Sequence, residues 1–449
     1  MKTRFSPAAA LLAVLLALLV SAADAPPGMA LFPTKPPPPI NVRTYGAKGD
    51  RTTKDTVVFQ RALDDCAKAG GGELLVPAGN YLCGSLTMGA NTTLRLEKDA
   101  YITESSDPAD YPVMQARFEG EITNCRRSLI YAEKADHLAI LGPGGFYASS
   151  ALCNSNRNPR SPEVIETVSC DDVRFEGFSL QYDQPAANQR QQMWCIHPTF
   201  CTNVVARNLF VRSQLSVGDG LDLDSCSKVL VDNCDITSGD DAIGLKSGRG
   251  LAALLLAKPS VDVTIQNCKL NSLQGSAVAF GSELSGGLRN INITHCTLSG
   301  RQSALHFKSR GDRGGVLDNI SADGLIIENT PICLFLDLLN AGTATADPVT
   351  ASPDKWTLLR NLSFRNINVN NAQTFISGDK VSPDRPIQGF TVANISGTCR
   401  EGIILSNAEK ASFGDIRFTG FTGNIAVLTN VSGTGIDTLG SPAPKAPGL

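Results

Sequence analysis

The sequence predicts an all-β fold, a single-stranded right-handed parallel β-helix closed at its N-terminal end by a helix. Two observations predict the strands. Short alternating runs recur without a fixed length, and cysteines keep the same offsets within them. A third observation, one amphipathic stretch ahead of the repeats, predicts the cap.

The chain of 449 residues begins with Lys2 and Arg4, an apolar run from Ala8 to Val20, and the small residues Ser21, Ala22 and Ala23. That order is the pattern of a secretory signal peptide, and the run is short of the ~20 apolar residues of a membrane span. A signal over 1–25 and export, extracellular or periplasmic, are therefore expected. A proline-rich connector over 26–39 favours extended chain, and the folded domain should run from 40 to 435, with a flexible tail over 436–449. No later stretch is apolar enough to span a bilayer, so no membrane partner is expected, and a monomer is. The net charge of −3 shows no basic stripe, which argues against nucleic acid.

Lys54 to Ala69 places Val57, Val58, Ala62, Leu63 and Cys66 at helical spacing. Gly70, Gly71 and Gly72 follow. Without a Lys-Ser/Thr after them they read as a helix stop rather than a phosphate loop. A helix here would cover the open end of the first coil, which otherwise invites aggregation.

From about residue 165 a small turn, an alternating run, an Asn or Gly and a second apolar run recur. Steps between Val173, Val204, Val229, Val263 and Ile291 are 31, 25, 34 and 28 residues. Helical repeats would show a 3.6-residue period, and propeller blades run to ~40–45 residues. Coils of two or three short strands with variable loops fit a β-helix. Cys170, Cys201 and Cys226 each precede the aligned valine by three, while Cys234, Cys268 and Cys296 follow it by five. Stacking would make both sets ladders, of buried thiols acting as small hydrophobes or of bridged pairs. The odd total of 13 leaves at least one sulfur without a partner inside the chain.

Tyr45-Gly-Ala-Lys-Gly-Asp50, the stretch from Glu166 to Trp194-Cys-Ile-His197-Pro, and above all two aspartate motifs resemble one family. The motifs are Asp219-Gly-Leu-Asp222-Leu-Asp224 and Ser238-Gly-Asp240-Asp241-Ala-Ile-Gly-Leu-Lys246-Ser-Gly. They are similar to glycoside hydrolase family 28, the polygalacturonase family, over roughly residues 41–400. The resemblance implies inverting hydrolysis of a galacturonate-type pectic polysaccharide, with Asp240 as acid and with Asp219 and Asp241 activating water. Such chemistry needs an acid and a base ~6.5–9.5 Å apart on opposite faces of the sugar, and clustered carboxylates raise one another's pKa. No metal or cofactor is expected, because carboxylates supply both proton transfers.

Three departures stand out. Val217-Gly218 replaces the family's Asn-Thr, Gly275-Ser276-Ala277 replaces Gly-His-Gly, and His306-Phe307-Lys308 replaces Arg-Ile-Lys. The candidate substrate contacts are Lys308, His306, Asp222 and Ser276. Lys308 would hold a substrate carboxylate, helped by His306 when protonated, unless His306 reads a neutral sugar instead. Asp222 and Asp224 share a strand face and either line the groove or hold the turn after Ser225. Ser276 reads as packing as readily as contact. Arg313, Trp194 and His197 read as scaffold. Two other readings remain, another pectic backbone such as rhamnogalacturonan and a non-catalytic carbohydrate-binding surface. Endo or exo action turns on whether loops such as Asp183 to Gln192 close one end of the groove.

Overall fold

Three parallel ladders run along the chain, with one strand of each in a typical coil. The structure is a computed structural model that describes residues 38–153, 158–182, 193–215, 217–420 and 425–440. The repeats pair in the expected register: Val173, Val204, Val229, Val263, Ile291 and Ile320 lie on one line. A second ladder stacks Ile165, Ile196, Leu221, Ile243, Val278 and Leu305. None of these side chains is more than 3% exposed. Each is covered by its counterparts ~4.8 Å above and below, and each full burial contributes about 1.5–3 kcal/mol. The result is a right-handed parallel β-helix.

The Asn or Gly of each repeat has a backbone cause. The coil turns there through positive φ, 54° at Asn208, 52° at Asn233, 55° at Asn267 and 53° at Asn366. Asn is enriched in that conformation. The asparagines also bond along the stack, Asn233 Nδ2 donating to Asn208 Oδ1 at 2.7 Å. All 13 cysteines are buried and unbridged. One predicted ladder is explicit: the Cys234 N–H donates to Cys268 Sγ, and the Cys268 N–H to Cys296 Sγ, each at 3.4 Å.

The cap forms at Thr56–Lys68 and buries Phe59, Ala62, Leu63 and Cys66. Val57, expected on that face, is instead 79% exposed. It lies more than half a turn from Phe59, whose larger ring takes the inward position. Gln60 closes the edge of the first coil: its amide donates to Thr87 O at 3.0 Å and accepts from the Thr87 N–H at 2.8 Å. Gly71 N–H bonds back to Cys66 O at 2.9 Å, ending the helix as expected.

At the far end a 3-10 turn, Asp437–Gly440, follows the last strand, and Leu439 packs into the core. Ordered packing therefore passes residue 435. The signal segment, most of the connector, the insertion Asp183 to Gln192 and residues 441–449 lie outside the described residues. Among the described residues no helix is long and apolar enough to cross a membrane. One element was not anticipated: an antiparallel hairpin of Val113–Phe118 and Glu121–Arg126.

Candidate active site

Leu221–Asp224 and Ile243–Lys246 are adjacent strands of the second ladder, with Leu221 paired to Ile243. Asp219 and Asp241 each stand two residues ahead of those partners, so they occupy the same place one coil apart. The Gly220 N–H donates to Asp241 O at 2.9 Å, and the Asp240 N–H to Gly218 O at 3.1 Å. One carboxylate oxygen from each of Asp219, Asp240 and Asp241 lies within 4.8 Å of the others. They face a cleft of about 360 Å³ that is also lined by Trp194, Lys246 and Lys308.

Both oxygens of the two deeper carboxylates are engaged. Asp219 Oδ1 accepts from the Asp241 N–H at 3.2 Å and Oδ2 from Lys246 at 3.2 Å. Asp241 Oδ1 accepts from the Ser276 N–H at 3.0 Å and Oδ2 from the Lys308 ammonium. Lys308 reaches back two coils because Gly281 occupies its own column on the coil between. Burial works against the Lys308 charge, but Asp241, Asp240 and Asp219 outweigh it and hold the ammonium above its ordinary pKa. Asp240 bears no such clamp on its carboxylate. Burial, then Asp241 and Asp219, push it up to about 7. The three carboxylates are close enough together to hold a cation, yet the two ammonium groups already meet that charge.

The other sequence candidates divide. His306 lines the cleft. Its Nδ1 lies 3.3 Å from Ser276 Oγ and its ring stacks on Phe335 at 4.5 Å. Its Nε2 is buried with no partner in the protein. Burial, then Lys308 and Lys380, hold its pKa well below the ordinary value, so the help His306 would give Lys308 when protonated is disfavoured. Ser276 is 0% exposed. It touches Ser303 Oγ at 2.9 Å and His306, so it positions neighbours and is not open to substrate. Asp222 is also 0% exposed; it lies below the cleft and pairs with Lys246 at 3.2 Å. Burial and Asp219 raise its pKa well above the ordinary value. It supports the floor and has no access to substrate.

Asp224 takes the turn-holding role, receiving Arg117 Nε at 2.8 Å and Nη2 at 2.7 Å and the Ser225 hydroxyl at 3.2 Å. His197 is buried as scaffold, its Nδ1 3.1 Å from both oxygens of Glu163. Arg313 is fully buried, donating to Ser282 O at 2.8 Å and to Thr343 O. Trp194 both packs and faces the cleft, stacking on Phe118 at 4.3 Å beneath the Lys246 ammonium, 4.2 Å from the ring centre.

Sequence reasoning missed three contributors. Lys246 stood in the quoted motif but was given no role; its pairs to Asp219, Asp222 and Glu283 make it the counter-ion of the floor. Glu283, drawn below its ordinary pKa by Lys246 against the opposing effect of burial, comes from a later coil. Glu119 comes from the hairpin, far away in sequence. Only Lys246 carried a local signal.

Comparison with known proteins places this arrangement. The model for "Glycosyl hydrolases family 28" matches residues 66–396. A probable polygalacturonase of Vitis vinifera is 24% identical over 369 residues, covering 78% of this chain and 72% of its own. A hyperthermoactive exopolygalacturonase from Thermotoga maritima superposes with a TM-score of 0.68 at 23% identity, covering 89% of this chain and 92% of its own. The family 28 exopolygalacturonase of Yersinia enterocolitica gives 0.71 at 20% identity, covering 91% and 79%.

Proposed function

Because the chain belongs to family 28 of the glycosyl hydrolases, we propose that it is an exported enzyme cleaving galacturonate-type pectic polysaccharide with inversion. The observation that carries this reading is the contrast within the aspartate cluster. Asp240 is unclamped and raised to about 7, so it can hold a proton near neutral pH and deliver it to the leaving glycosidic oxygen. Asp219 and Asp241 are held by ammonium and amide donors. They orient a water toward the anomeric carbon and take up its proton.

Oxygens within 4.8 Å are closer than the ~6.5–9.5 Å usual between carboxyl groups of an inverting pair, and nearer the ~5–5.5 Å of retaining enzymes. Retention needs a carboxylate oxygen free to attack carbon. Each oxygen of Asp219 and Asp241 already accepts a charged or backbone donor, which suits orienting water better than bonding to sugar. That argument, together with the family resemblance, supports inversion. Export is supported by the charged, apolar and small-residue order of the first 25 residues.

The test is a reducing-end assay on polygalacturonate, esterified pectin and rhamnogalacturonan, with Asp240→Asn as control. Release from a pectic backbone that disappears in the variant supports the reading. No release from any of the three would overturn it in favour of a carbohydrate-binding surface.

A further inference from the structure

We infer that the hairpin Val113–Phe118/Glu121–Arg126 is a strap that closes one end of the cleft, so that the enzyme works from a chain end and releases short products. This rests on the hydrolase reading above. The strap crosses the second ladder. Its base is tied on one side, where the Arg126 N–H donates to Arg160 O at 2.9 Å and the Arg160 N–H to Asn124 O at 2.8 Å. Its tip is tied on the other, where Glu121 accepts from Arg249 at 2.6 Å and from Thr345 Oγ1 at 2.9 Å. Gly120 at the turn is wedged in place: a Cβ there would stand 2.8 Å from Arg249 N and 3.0 Å from Glu283 Cγ.

Among the described residues, side chains fill the space beneath the strap. Phe118 lies flat on Trp194 at 4.3 Å, leaving them 4% and 3% exposed. Arg117 is locked onto Asp224. Glu163, Glu166 and His197, polar side chains of the same ladder, are correspondingly buried at 6%, 4% and 0%. Trp194 is one coil from Asp219, whose backbone O accepts the Cys195 N–H at 3.0 Å. Asp241 is one coil further, so at ~4.8 Å per coil the wall stands ~5 Å from the coil of Asp219 and ~10 Å from that of Asp240 and Asp241. That leaves room for a monosaccharide or disaccharide. On the opposite side the ladder continues past Lys308 to Asp337 and Lys380, whose side chain is 45% exposed.

The experiment uses the full-length enzyme on two forms of one hexagalacturonate. One has its reducing end converted to the alditol, and the other carries an unsaturated residue at its non-reducing end. Viscosity of polygalacturonate is followed in parallel. A closed cleft admits one end only. One capped oligomer should therefore resist cleavage at least tenfold, early product should be monomer or dimer, and viscosity should lag behind reducing ends. Equal cleavage of both oligomers with an early viscosity collapse overturns the strap while leaving the hydrolase reading intact. No cleavage of any pectic substrate overturns the hydrolase reading, and the inference with it. In Phe118→Ala/Glu121→Ala, which loosens the tip, internal cuts should rise several-fold. Should that variant fail to fold, the capped oligomers still decide on the wild-type enzyme.

Discussion

Gly275 faces Asp240 so closely that a Cβ on it would stand 2.2 Å from Asp240 Oδ1, and 2.8 Å from Asp241 Oδ1. In the family pattern that this stretch resembles, a histidine follows this glycine. Here the next residue is Ser276, which is fully buried and donates its N–H to Asp241 instead. Burial, then Asp241 and Asp219, raise the Asp240 pKa without such a histidine.

Gly275→Ala should therefore push the Asp240 carboxylate aside. A displacement near 1 Å costs about 10²-fold in rate. We expect kcat to fall by that order while KM stays within about twofold, since no residue of the substrate-facing wall is altered. Steady-state kinetics on oligogalacturonides check it, and a matching rise in KM would show that the cleft as a whole had deformed.

Asp240→Asn removes the transferable proton and should lower kcat by about 10²–10⁴-fold. In the wild type, kcat/KM should fall as pH rises through about 7, where Asp240 loses its proton. The linkage sign is set by a folded-state pKa raised above the ordinary ~3.9. Stability associated with this group is present below that value and is lost as pH rises toward about 7. Asp240→Asn lacks the loss, so its melting temperature should exceed that of the wild type at pH 8 and the gap should close at pH 4. Equal melting temperatures at both pH values would remove Asp240 as a strained acid.

Burial, then Lys308 and Lys380, disfavour the His306 cation, and its Nε2 lies buried beside the cleft without a partner. The KM for unesterified polygalacturonate should show no step near pH 6.5 arising from this residue. His306→Phe keeps the stack on Phe335 and removes the Nδ1 contact with Ser276 Oγ, a loss of about 0.5–1.5 kcal/mol of stability. The melting temperature should fall while KM changes by less than about twofold at every pH from 5 to 8. His306→Arg should give no gain on polygalacturonate, because a guanidinium would be buried beside Lys308 and near Lys380. A tighter KM in that variant would restore the idea of a charged grip.

Lys246 is 5% exposed in its side chain and faces three carboxylates. Lys246→Met leaves Asp219 and Glu283 without it in a buried site, a change that costs about 3–5 kcal/mol. Urea unfolding should show that loss, with kcat reduced as well because Asp219 would hold a proton more readily. Unaltered stability would mean that water, not Lys246, balances the floor.

Alternation, punctuation by Asn or Gly and cysteines at fixed offsets are local patterns with one physical reading. Inward residues must repeat every second position, and the turn must pass through positive φ. From these the ladders and their register followed, as did the capping helix. The aspartate motifs lay about one coil apart, so their meeting at Leu221 and Ile243 was legible too. Val57 was misjudged because five neighbouring apolar residues offer two overlapping helical stripes, and only the packed coil selects Phe59. Asp222 and Ser276 stay open in the sequence because it shows which side of a strand a residue takes but not how deeply neighbouring coils bury it. The disfavoured charge of His306, the pairing of Lys246 with Glu283 and the strap over Trp194 depend on contacts spanning roughly 30 to more than 100 residues. Stacking and loop closure create those contacts, and no local pattern encodes them.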